Sequence, residues 1–406
     1  MDSNSRFLLK SFRKYYKDNP IIMPSRSGRR EFGFMFFDRN FVQRHMGFSR
    51  PADINRFMVT QVPSHSYYST AYYRKPDAPT MEEKIWLGAD LIFDLDADHL
   101  VGAENMSYSE MLEQIKKEMI NLVDSFLLGD LGFSDDQVSI VFSGGRGYHA
   151  HIEMNSVTGL GTHERRDIVD YVTSTGLNID WVFPYTRVVT STANVNGQER
   201  SNVTKIRTIP PANAGGWKLR MRNGLKDVVN DICDLDVKEI KKTYPSIKST
   251  ATKSIENYQN DLRKSRTLIF ENNKMSTLGK GTQEFLVKIM AEDVAYRLSG
   301  EVDEPVTADI KRLIRLPGSV HGKSGLRVMP LSRDELTDFD PLMDAVPEQY
   351  SDDDVTVTMR KDTQITIKGQ NFKLSGTTKV PEYAAVFLVG RKMADIGDGT
   401  VKDSFF

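Results

Sequence analysis

Two hydrophobic periods run along this chain, one recurring every three or four residues and the other every second residue. Leu8, Leu9, Phe12, Tyr15 and Tyr16 fall at helical spacing and predict a first helix over 7–16. Residues 31–37 read as a strand, and 87–96 (LGADLIFDLD) as a largely buried one. Ser109 can cap a long helix running to Leu128, because Leu112, Ile115, Met119, Val123 and Phe126 recur on one face. Apolar runs at 138–142 and 148–154 predict two more strands joined by a short glycine loop, followed by a helix over 163–174. Further helices are expected over 226–244, 254–271 and 283–298. Another, capped by Thr307, should end before Pro317. Residues 355–374 suggest two strands, and 382–395 a last helix.

Strands and helices mixed in this way predict an α+β fold, a mixed-sheet core flanked by helices with a smaller helical subdomain. Residues 1–190 and 283–345 are expected to form that core in two parts. The polar stretch 191–282 reads as a helical insertion, and 346–406 as a C-terminal β/α segment.

The 406 residues allow two or three units and a sizeable core. Lysine plus arginine number 54 against 55 aspartates and glutamates, which excludes a globally basic coat but not local basic patches. A single cysteine, Cys233, excludes an internal disulfide framework, a multi-cysteine zinc site and an iron–sulfur cluster within this chain. No apolar run approaches the roughly 18 residues of a membrane span, and the opening MDSNSRFLLKSFRKYY lacks a long apolar leader segment. A cytosolic protein with no membrane association is expected.

Three segments carry candidate chemistry. In FDLD at 93–96, Asp94 and Asp96 lie two residues apart and point to one side of a strand, while Phe93 and Leu95 point to the other. Two anions so close repel unless a cation sits between them, and hard divalent cations take such oxygen ligands. An ordinary strand running into an Asp-rich turn gives the same pattern. SGGRGYHAH at 143–151 sets Ser143, Arg146, His149 and His151 around Gly144, Gly145 and Gly147, as a loop that cradles phosphate would. A glycine hairpin with incidental polar residues is the alternative. DEPVTADIKRLIRLPGSVHGKSG at 303–325 carries Asp303, Arg312, Arg315, His321 and Lys323, whose basic groups suit a triphosphate or a solvated helix face equally well.

Together, in this order, the three segments resemble the small, catalytic subunit of the archaeal and eukaryotic DNA primase, closer to the archaeal form. REFGFMFFDRNFVQRHMGF at 30–48 is similar as well. The resemblance implies the archaeo-eukaryotic primase fold and synthesis of short primers on single-stranded DNA from NTPs, with use of dNTPs and primer extension also expected. It implies two Mg²⁺ or Mn²⁺ ions at Asp94, Asp96 and Asp303. Ser143, Arg146, His149, Arg315 and His321 match nucleotide-triphosphate contacts, and Glu31 and Arg44 match N-terminal active-site positions. The implied partner is an iron–sulfur large subunit in a heterodimer, and the implied setting is the nucleoid. Many members carry a cysteine-rich zinc knuckle; one cysteine cannot build it, so no structural zinc is expected. Arg26, Arg29, Arg30 and Lys323 are candidates for template-backbone contacts. A primase-like repair polymerase and a non-catalytic assembly subunit are the two other functions to weigh.

Overall fold

The computed structural model describes residues 1–100, 102–195 and 198–397; positions 398–406 of the expected C-terminal segment lie outside these. The chain forms two compact units, one of Met1–Val169 with the residues from Glu301 onward, the other of Asp170–Gly300. The boundaries therefore fall at 170 and 300 where 191 and 282 were expected, and the segment after 346 belongs to the first unit.

The first unit opens with α1 (Ser3–Asp18), whose Phe7, Leu8, Phe12, Tyr15 and Tyr16 are buried at the predicted spacing. Then come β1 (Phe32–Met35), β2 (Gln43–Met46) and β3 (His65–Ser69). The stretch 87–96 is two strands rather than one. Trp86–Ala89 pairs with Ala71–Tyr73, whereas β4 (Leu91–Asp96) enters another sheet. The break lies at Asp90, which is buried and bonded to Arg30. α2 (Tyr108–Asn121) is capped by Ser107, two residues before the expected cap Ser109, because Ser107 and Glu110 form a reciprocal capping box. It continues in wider i→i+5 turns over Leu122–Leu128. β5 (Val138–Phe142) and β6 (Gly147–Ile152) flank the glycine loop.

After the second unit, the chain returns as α3 (Glu304–Ala308), β7 (Leu313–Arg315), β8 (Met329–Leu331) and α4 (Glu382–Gly390). The helix expected from Thr307 to Pro317 is not formed. Asp303, not Thr307, caps the short α3, and 313–315 is a strand paired with β3, Arg315 opposite Tyr67. Ile310, Leu313 and Ile314 fit helical spacing, but the free edge of β3 supplies backbone partners that an isolated turn of helix cannot match.

Two antiparallel four-stranded sheets result, ordered β7-β3-β1-β2 and β8-β5-β6-β4. Every residue of α4 is buried, so it is a core helix rather than a surface one. Its Glu382 accepts from Ser11 Oγ at 2.8 Å and Lys14 Nζ at 2.8 Å, which ties α4 to α1.

The second unit is not purely helical. It contains a long hairpin, Tyr185–Val195 against Gln198–Arg207. Helices Gly216–Asp234, Val237–Thr243, Thr252–Ser265 and Lys280–Ile289 follow, burying Met221, Leu225, Val228, Ile232, Leu262 and Leu286. Among the described residues, no helix is long and apolar enough to cross a membrane.

Candidate active site

β4 and β6 pair so that Asp94 faces His149 and Asp96 faces Gly147. The alternation of β4 buries Phe93 and Leu95 and turns both aspartates toward a cavity of about 400 Å³. Gly147 is required at its position, since a Cβ there would meet the Leu95 carbonyl oxygen at 2.1 Å. His149 Nε2 lies 3.1 Å from Asp94 Oδ1, and its buried Nδ1 has no hydrogen-bond partner among the described residues. Burial pushes the Asp94 carboxyl up, but His149, then Arg312 and Arg315, outweigh it and hold the group below the usual carboxylate value. Asp96 Oδ1 accepts from the backbone N–H of Asp98 at 3.1 Å.

Asp303 follows the inserted unit in the chain and meets this strand. Its backbone N–H donates to the Asp94 carbonyl at 2.9 Å, and its carboxylate caps α3 by accepting from Val306 N–H at 3.4 Å. Asp303 and Asp96 line a second cavity, of about 240 Å³. Asp96 therefore borders both spaces. The donor chemistry, all carboxylate oxygen, fits a hard divalent cation. Among the described residues, however, no three acidic or histidine side chains already stand at ligand positions.

The glycine loop closes one wall. Ser143 Oγ accepts from Gly145 N–H at 3.2 Å, and Gly144, at φ +74°, lies so close to His321 that a Cβ would approach it to 2.8 Å. Ser324 Oγ donates to the Gly144 carbonyl at 2.5 Å, which joins this loop to the 319–325 segment. Arg146 lines the cavity and is ion-paired with Asp98.

Arg315 contributes another part of the lining, next to His321. Its Nη1 donates to His65 Nδ1 at 2.7 Å and its Nη2 to His321 Nε2 at 2.9 Å, while its guanidinium lies over the Tyr67 ring at 4.6 Å. Burial first, and then the adjacent Arg315, push His65 down to about 2 and His321 well below the usual histidine value. Both imidazoles are thus neutral acceptors that orient the guanidinium without cancelling its charge. Arg312, Lys323 and Arg391 also line the cavity and form no ion pair among the described residues.

The structure thus brings Asp94, Asp96, Ser143, Arg146, His149, Arg315 and His321 around one space and sets Asp303 beside it. It does not bring Glu31 there. Glu31 is fully buried, with Arg44 on both its oxygens at 3.0 and 3.1 Å and the His45 N–H at 3.0 Å. Arg44 lines a neighbouring cavity of about 280 Å³ that shares Tyr67 and Arg312 with the first. Arg30 is no template contact: it is buried and bonded to Asp90. His65, Tyr67 and Arg391 were not anticipated. The first two come from the pairing of β3 with β7, for which neither strand alone carries a signal.

The family model for the DNA primase small subunit matches residues 93–333, from β4 through β8. The chain belongs to the DNA primase small subunit family. It is 41% identical to the DNA primase small subunit PriS of Methanocella arvoryzae, over 97% of this chain and 99% of that one. Identity is 39% to PriS of Methanococcoides burtonii, over 98% and 100% of the two chains, and 37% to PriS of Picrophilus torridus, over 95% and 97%. This primase small subunit is accordingly of the archaeal type, an enzyme of primer synthesis in DNA replication, and its α+β architecture agrees with the expectation.

Proposed function

We propose that this subunit joins nucleotides on a single-stranded DNA template at the cavity floored by Asp94 and Asp96, and that Asp94, Asp96 and Asp303 are its catalytic, metal-holding carboxylates. The observation that carries the reading is the meeting in one space of two carboxylates from β4 with cations and histidines from the glycine loop, β7 and the 319–325 segment. Two Mg²⁺ or Mn²⁺ ions held there would neutralise phosphate charge and activate the attacking 3′-hydroxyl.

The chain's own residues do the positioning. Ser143 and the glycine-loop amides, with Arg146, grip the triphosphate, and Arg315, aimed by His65 and His321, supplies a planar fork for phosphate oxygens. His149 holds Asp94 through its 3.1 Å contact. The template supplies sequence by base pairing, so template binding should weaken with salt. NTPs start the primer, and dNTPs and primer extension are further uses of the same site. The partner is a large subunit carrying an iron–sulfur cluster, and the working complex is a cytoplasmic, nucleoid-associated heterodimer.

The test is primer synthesis from NTPs on single-stranded DNA without an added primer, alongside Mn²⁺ titration calorimetry. Asp94→Asn and Asp96→Asn should each lower synthesis about a hundredfold or more and weaken Mn²⁺ binding. Undiminished dinucleotide formation in either variant would sink the assignment. Product only from a pre-formed primer would point to an extending polymerase instead.

A further inference from the structure

Arg391 comes from the C-terminal segment, beyond the residues that the family model matches, yet it lines the same cavity as Asp94 and Asp96. Its guanidinium lies over the ring of Tyr108, 4.4 Å from the centroid, and forms no ion pair among the described residues. Phe387, one helical turn earlier, meets the same ring edge-on at 5.4 Å. The two sit at i and i+4 and so share one face of α4 and its end. Tyr108, the first residue of α2, donates from its hydroxyl to the Gly145 carbonyl at 2.5 Å. α4 is thereby coupled to the glycine loop through a single tyrosine.

The same helix supports the facing loop. Gly390 packs against the backbone of Lys323 and Ser324, where a Cβ would stand 3.2 Å from each. Val386 fills the space at Gly325, where a Cβ would clash at 2.3 Å. Both loops that border the phosphate-binding walls therefore rest on one fully buried helix. The cation at the end of that helix forms no ion pair among the described residues, while Arg146 is paired with Asp98.

We propose that Arg391 is a phosphate-binding residue of the nucleotide pocket, placed there by α4. The proposal rests on reading the cavity as the triphosphate site. A planar guanidinium with no ion pair among the described residues, lining the same cavity as Ser143, Arg146 and Lys323, is matched to a polyphosphate, which it can hold through two parallel hydrogen bonds. A phosphodiester of the template carries the same chemistry. Arg391's coupling to the glycine loop through Tyr108 favours the nucleotide.

The test uses the full chain and a fluorescent ATP analogue displaced by ATP or AMP without template, with binding of a single-stranded oligonucleotide measured separately. Arg391→Ala should weaken ATP about tenfold and AMP by less than about twofold, with oligonucleotide affinity unchanged. Arg391→Lys should lose less, and it serves if the alanine variant melts early. ATP affinity at the wild-type level, equal losses for ATP and AMP, or a loss confined to the oligonucleotide would each overturn the proposal. Arg146→Ala separates the two levels. If it weakens ATP while Arg391→Ala does not, only the role of Arg391 fails. If neither weakens ATP, the nucleotide reading of the cavity fails with it.

Discussion

Two charged regions of the first unit use the same residue types to opposite ends. In one, Arg30 donates to Asp90 at 2.6 Å, Tyr72 Oη at 2.8 Å, and the Ser25 and Ser69 carbonyls at 2.8 Å each, while Glu31 is enclosed by Arg44 and the His45 N–H. Charge there is closed on itself, with Arg30, Asp90 and Glu31 buried and Arg44 half-buried. In the other, around Asp94 and Asp96, Arg315 is held by neutral histidines, and Arg312, Lys323 and Arg391 form no ion pair among the described residues. The closed cluster lets neighbouring strands carry buried charge. On the proposed reading of the cavity, the open one would keep positive charge in reserve for a ligand that supplies negative charge.

Breaking the closed cluster should cost the most. Asp90→Ala leaves the buried Arg30 guanidinium with only the more distant Glu153, at 3.9 Å, as counter-charge, and should destabilise the fold by about 3–5 kcal/mol in urea unfolding. A loss under about 1 kcal/mol would contradict the reading of this pair as structural. In the open cluster, Arg315→Ala should instead raise the KM for NTP about tenfold or more, the worth of lost charge-assisted bonds, with only a small shift in thermal midpoint. A fall in midpoint as large as that of Asp90→Ala would erase the contrast. His65→Phe, which removes one neutral acceptor from Arg315, should raise KM about fivefold and change kcat less, and His65→Gln should recover part of the loss. Equal effects of phenylalanine and glutamine would mean that His65 only fills space.

Acid should give the smallest and most graded effect. Burial pushes Glu31 up, but its bonds to Arg44 and His45 N–H more than reverse that; Glu382 is likewise pushed up by burial and pulled below the usual value by Lys14, Ser351 and Ser11. Both folded-state values therefore lie below the ordinary 4.5. The stability they contribute is fully present above that pH and is lost as pH falls through the folded-state values. Thermal midpoints should drop progressively below pH 4.5, and Glu382→Gln should flatten the drop. An unchanged slope in that variant would remove Glu382 from the account.

Legibility in the sequence followed the range of the interactions. Asp94 and Asp96 were readable because a period of two is a local property, and the glycine loop because Gly147 must lie against a neighbouring backbone. Asp303, Arg315 and His321 were located by resemblance to a family rather than by any pattern of their own. The stretch 307–316 was misread, since the strand partner of Arg315 is Tyr67, far away along the chain. Glu31 and Arg44 were found as a pair, but nothing local tells a buried pair from one facing a cavity. The hairpin in the second unit was missed because its strands are polar. Its signal was the Val- and Thr-rich run 185–195 followed in the sequence by Asn196-Gly197.

The backbone bond from Asp303 to Asp94 has a bearing on biosynthesis. The ribosome delivers β4, the glycine loop and then a whole unit before the residue that completes this contact emerges, and α4 is later still. A nascent chain halted near Gly300 would hold the acidic strand without Arg315, His321 or the helix beneath their loop. Catalytic competence should therefore switch on only in the last quarter of translation, and chains released early should be inert on single-stranded DNA.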